Sequence, residues 1–119
     1  MNTTIRATNV LLTEALKTYA ERKIERIGKM LRRKNEAVAS VELGKTANHH
    51  TAGDIYRAEV NLRVGGTMYR AVSHKNNLYE AIDDVGDELE GEVSSGKDKS
   101  LTLQKRIGSK FKMFLKKIR

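Results

Sequence analysis

The 119-residue chain has no cysteine, no proline and no tryptophan, and only two phenylalanines. Without cysteine there are no disulfides and no thiolate metal ligands, which agrees with a reducing, cytoplasmic setting. Without proline, the turns fall to Gly and Asn. No run approaches the roughly 20 apolar residues of a membrane span, and MNTTIRATNV lacks the apolar h-region of a secretory signal. We therefore expect neither segment. The length suits one domain with a modest core. The last shortage is of acid near the C-terminal end. Residues 1–99 hold 16 Lys or Arg against 15 Asp or Glu, whereas the last twenty hold seven and none. The net charge of +8 thus sits almost wholly in that segment.

Periodicity supplies the elements. Residues Asn2 to Thr8 alternate as a short strand. Thr13 is a good N-cap, with Glu14 in the first turn, for a helix whose apolar positions Leu16, Ala20, Ile24, Ile27 and Leu31 share one face. Strand patterns follow at Ala37 to Leu43, Tyr56 to Val64 and Met68 to His74, the last two joined by Gly65-Gly66, a hairpin signal. Between the first two lies a polar loop, KTANHHTAG. A second helix opens at Asn77, with Glu80 placed for a capping box, and its stripe is Leu78, Ile82, Val85, Leu89 and Val93. The order β-α-β-β-β-α, with one apolar stripe per helix and one apolar sheet face, predicts an α+β two-layer sandwich over residues 1–99, followed by a basic amphipathic tail over 100–119.

Charge is distributed unevenly over these elements. At 100° per residue, Arg22, Arg26, Lys29 and Arg33 align opposite the apolar stripe of the first helix, and Lys34 continues the row. Such a row is either a solvated face with i,i+4 pairs such as Glu25–Lys29, or a track for a phosphate backbone. The second helix is the reverse, with seven acids and no cation before Lys97, and should not face phosphates. In the tail, Leu103, Ile107, Phe111, Phe114 and Ile118 share one side. The cations Lys105, Arg106, Lys110, Lys112, Lys116, Lys117 and Arg119 complete it. A basic amphipathic helix of this kind packs on its own domain, lies on an anionic membrane, binds a partner groove or binds RNA.

Enzymatic chemistry has no foothold in the sequence. His49-His50 lacks the further ligands a transition metal needs, and no nucleophile elbow or phosphate-binding Gly-rich loop is present. We expect no metal, no cofactor and no small-molecule substrate.

The stretches ATNVLLTEALKTYAERKIERIGK, VNLRVGGTMYRAVS and NNLYEAIDDVGDELE together resemble the ribosome hibernation-promoting factors. These are also called ribosome-associated inhibitors or, in their short form, ribosomal subunit interface proteins. The resemblance covers residues 3–95. It implies two helices on one face of a four-stranded sheet, like a double-stranded-RNA-binding domain. It also implies a monomeric, cytoplasmic, non-enzymatic protein that binds 30S or 70S ribosomes through 16S rRNA. There it would block tRNA and mRNA in the decoding channel and silence translation under stress. Lys17, Lys23, Arg26 and Lys29 match basic positions of the family, while Arg22 and Arg33 join the row on spacing alone. Two departures stand out. Glu88, Gly91 and Ser95 occupy positions that are commonly basic in the family, and 119 residues are too few to include the dimerisation domain of its long members, so the short form is expected. The tail would then restore phosphate affinity that the acidic second helix lacks. The competing readings are a generic double-stranded-RNA module and a peripheral protein acting through its tail at a membrane or partner.

Overall fold

The structure, a computed structural model, describes residues 1–47 and 54–96. The order is β1 (Asn2–Thr8), α1 (Glu14–Gly28), a 3-10 turn (Lys34–Glu36), β2 (Ala37–Ala47), β3 (Asp54–Val64), β4 (Thr67–Lys75) and α2 (Leu78–Gly96). The strands lie in sequence order β1-β2-β3-β4, with β1 parallel to β2 and the remaining pairs antiparallel. Both helices cover one face. This is the predicted two-layer α+β arrangement. The β3–β4 turn is the expected pair Gly65-Gly66, and Gly65 adopts φ +59°, a conformation open to glycine at little cost.

The core lies between the layers. From the sheet come Ala37, Ala39, Val41, Leu43, Ala58, Val60, Leu62 and Ala71; from the helices come Leu16, Ala20, Ile24, Ile27, Leu78, Ala81, Ile82, Val85, Leu89 and Val93. Period two on the strands and period 3.6 on the helices bring these residues to one interface. Among the described residues, the one polar side chain buried on this side is Ser73, whose hydroxyl donates to Asp84 Oδ2 at 2.6 Å and so ties β4 to α2.

Local capping sets where the helices start. The Thr13 hydroxyl accepts from the Leu16 amide at 3.1 Å, and Asn77 Oδ1 accepts from the Tyr79 amide at 2.7 Å. The end of α1 differs from the periodic reading. The α-helix stops at Gly28, the Met30 and Leu31 amides bond to Ile27 and Gly28 carbonyls in tightened i,i−3 turns, and Leu31 is only half-buried. Gly28 is a poor helix former, and its Cα packs under the side chain of Met1, where a Cβ would collide. Arg33 therefore lies outside the helix. The strands flanking the polar loop are longer than predicted: Lys45 to Ala47 extend β2. His49 and His50 fall in 48–53, outside the described residues.

Candidate nucleic-acid interface

The basic row of α1 is shorter than its spacing implies. Arg22 and Arg26 are exposed on the helix, and Lys29 is its C-cap residue, exposed on the same side. Lys17, one turn before, is also exposed. None of these four side chains makes a hydrogen bond or ion pair among the described residues. Among the described residues nothing neutralises their charges. Arg33, carried past the helix end, leans toward the β3–β4 turn at Gly65, and its Nε lies 3.6 Å from Glu36 Oε2. Lys34 is exposed in the 3-10 turn. The structure thus gives a compact row of Arg22, Arg26 and Lys29, with Lys17 exposed on another side of the helix and Arg33 and Lys34 displaced from its line.

Lys23 belongs to a different arrangement. Its stem lies flat across α2 over Gly86, whose missing side chain makes the room. Its Nζ reaches Asp87 Oδ1 at 3.0 Å and Asp83 Oδ1 at 3.9 Å, leaving the side chain only 13% exposed. Beside it, the Tyr19 hydroxyl donates to Asp83 Oδ1 at 2.5 Å, and the Tyr19 ring meets Tyr79 edge to face at 4.9 Å. The bond to Asp83, with the nearby carboxylates, raises the Tyr19 pKa, so the phenol keeps its proton. Lys23 is a clasp between the helices. Its coupling to Asp87 should be about 0.5 kcal/mol, the scale of a partly exposed pair. A double-mutant cycle of Lys23→Gln and Asp87→Asn, followed by urea unfolding, measures it. In a Gly86→Ala background the added methyl group lifts Lys23 away, and the coupling should vanish.

Three of the seven acids of α2 therefore work inside the fold: Asp83 and Asp87 bind α1, and Asp84 binds Ser73. Sequence reading missed this role, because clustered carboxylates look alike until the partners across the helix pair are placed. Glu88 is exposed, nothing lies within 4 Å of where a Gly91 side chain would start, and the Ser95 hydroxyl donates to the Gly91 carbonyl. Among the described residues, no group of three or more His, Cys, Asp or Glu could hold a metal. An open groove of about 350 Å³ where the two helices begin is lined by Leu11, Thr13, Leu16, Tyr56, Asn76, Asn77, Leu78 and Tyr79. It offers no carboxylate or imidazole for acid–base chemistry. No described helix is long and apolar enough to cross a membrane.

The opposite face of the sheet carries a second charged arrangement. Glu59 Oε1 accepts from Arg57 at 2.6 Å, while Oε2 accepts from Arg70 at 2.8 Å and from Asn61 at 3.2 Å. These bonds, Arg57 first and Arg70 next, hold the Glu59 carboxyl at a pKa of about 2, against its ordinary 4.5. A pKa lower in the folded state means that the stabilisation is complete above about pH 5 and is lost as pH falls toward 2. With Arg70 60% exposed, solvent screening limits the effect to about 1–2 kcal/mol. Glu59→Gln should cost that much at pH 7 and almost nothing near pH 2, measured by urea midpoints across the range.

The family profile described as Sigma 54 modulation protein / S30EA ribosomal protein matches residues 3–100. The chain belongs to this family. Its members are ribosome-binding proteins rather than enzymes. The ribosome hibernation promotion factor of Picosynechococcus sp. is 30% identical over 110 residues, which are 92% of this chain and 56% of that protein. The factor of the same name from Deinococcus radiodurans is 31% identical over 85 residues, 71% of this chain and 43% of that one. The chain thus spans about half the length of the curated relatives it matches. Among solved structures, the N-terminal domain of Thermus thermophilus Protein Y superposes with a TM-score of 0.65 at 29% identity, covering 78% of this chain and 96% of that domain. A ribosomal subunit interface protein from Coxiella burnetii shares the fold, with a TM-score of 0.61 at 19% identity, over 79% of this chain and 94% of that one.

Proposed function

We propose that this chain is a ribosome hibernation factor that binds the small subunit through 16S rRNA and occupies the decoding channel, excluding tRNA and mRNA during stress. The observation that carries this reading is the row Arg22, Arg26 and Lys29, three exposed cations with no internal partner among the described residues, on one side of α1, with Lys17 exposed on another. Unpaired cations at helical spacing suit a phosphate backbone, because bound counterions are released to solvent when phosphates are neutralised by the protein. The work is steric and needs no catalytic group. Lys23 contributes by holding α1 against α2 rather than by touching RNA. The tail cations Lys105, Arg106, Lys110, Lys112, Lys116, Lys117 and Arg119 lie outside the described residues. They would extend the contact along the channel and offset the acidity of α2.

The test is co-sedimentation with bacterial ribosomes on sucrose gradients, full-length protein beside a chain ending at Lys99. Migration with 30S or 70S particles supports the reading, and loss on truncation assigns the anchor to the tail. Long plain duplex RNA is added as competitor. Competition as strong as the ribosome's own affinity would replace this reading with a generic duplex-RNA module. No co-sedimentation at low salt would end it.

A further inference from the structure

Resting on the ribosomal reading above, we infer that the open face of the sheet is a second RNA-contact surface, where arginines of β3 and β4 meet rRNA phosphates. Away from α2, cations remain on α1 and on the sheet. Helix α2 bears seven acids and no cation, so its side of the molecule repels phosphate. The sheet face turned away from the helices carries Arg6, Arg57, Arg63 and Arg70 against Glu42 and Glu59. It is net positive, and its four cations are all arginines. The planar guanidinium fork matches phosphate oxygens in pairs, where lysine acts only as a point charge.

The arginines are not equivalent. Arg6 pairs with Glu42 across β1 and β2 at 3.1 Å, and Arg57 is held by Glu59. Arg70 is bound to Glu59 through Nε, which leaves its two terminal nitrogens for another acceptor on a side chain 60% exposed. Arg63 is exposed and has no partner among the described residues. Ion pairing within the sheet, across β1 and β2 for Arg6 and along β3 for Arg57, therefore accounts for those two but not for Arg63. In register with Arg63 are Val38 on β2 and Met68 on β4, 37% and 60% exposed. A guanidinium between two apolar side chains suits an unstacked base lying over the row while the charge meets the adjoining phosphate. Glu59 sets the geometry by fixing Arg57 and Arg70 on its two oxygens.

The test compares R63Q and R63Q/R70Q with R22Q/R26Q in ribosome binding over a salt series, with thermal unfolding of each variant alongside. The log–log slope should fall by about 0.7–0.9 for R63Q, where one phosphate goes unmatched, and by about 1.4–1.8 for R63Q/R70Q, where two do. Because Arg63 has no internal partner, R63Q should unfold at the wild-type temperature, which keeps its result clear of folding effects. Unchanged affinity and slope in both sheet variants, with R22Q/R26Q weakened, would overturn the inference and leave the α1 reading standing. Weaker binding at an unchanged slope would also overturn it, since the partner would then be protein rather than phosphate. Failure of the wild type to bind at low salt would be a different result, removing the ribosomal reading itself.

Discussion

Neutralising Arg22, Arg26 and Lys29 together should leave a folded protein that binds ribosomes more weakly and with a shallower salt dependence. The three side chains are exposed and pair with nothing within the described residues, so their removal disturbs no packing. With three phosphates left unmatched, the log–log salt slope should fall by about 2–2.7. Between 50 and 200 mM salt the wild type would then lose about 20- to 40-fold more affinity than R22Q/R26Q/K29Q. Charge reversal to Glu would weaken binding further. It is the poorer experiment, because new anions in the last turn of α1 oppose the helix dipole by roughly 0.3–1 kcal/mol each. Lys23→Gln is the control within the same helix. Its ammonium is already engaged by Asp87 and Asp83, so the slope should stay at the wild-type value. Equal slopes for the triple variant and the wild type would mean that α1 faces water on the ribosome.

Leu89→Ala should be among the most destabilising single substitutions in the domain. Leu89 is fully buried on α2, in the core cluster with Val60, Leu62 and Val85. Truncation strips away apolar packing and leaves a cavity that a sheet and two helices close over poorly, at about 2–5 kcal/mol. For a domain of this size that corresponds to a fall of roughly 10–20 °C in Tm. The urea midpoint should drop with the m-value unchanged, since the surface exposed on unfolding is nearly the same. Leu31→Ala is the informative comparison. Periodicity places Leu31 in the same stripe as Leu16 and Ile24, but it is half-buried beyond the end of α1 and should cost well under half as much. Comparable losses at the two positions would mean that α1 continues through Leu31.

That contrast shows what was legible in the sequence. Strand β1, both N-caps, the Gly65-Gly66 turn and the apolar stripe of α2 follow from period and turn chemistry, because those signals act over four or five neighbouring residues. The end of α1 did not, since Leu31 keeps the apolar period of the stripe although the α-helix stops at Gly28. The candidate site was legible in part. Arg22, Arg26 and Lys29 could be placed on the surface from spacing, and Lys17 from the family resemblance. Lys23 could not be separated from them, because its partners Asp83 and Asp87 lie some 60 residues away and the room for it comes from Gly86. The Arg57–Glu59–Arg70 group was equally hidden. A carboxylate on the polar side of an alternating strand reads as a solvated residue until the β4 register sets Arg70 beside it.

The strand order bears on how the chain assembles. Strands β2, β3 and β4 form a meander in which each partner is the next strand along the chain, so their pairing closes short loops. Strand β1 instead pairs parallel, Asn2 opposite Val38, and reaches its place only after the whole of α1 has been laid across the layer. Contacts of such sequence separation carry a larger closure cost and form late. Native-state hydrogen exchange should accordingly find β1 amides opening ahead of those in β2 and β3, and similar protection along all three strands would contradict this order. The strand that leads the sequence is then the last to join the sheet. A chain emerging from the ribosome would complete this domain only after α1 and the strands behind it are available, with its first residues waiting for their partner.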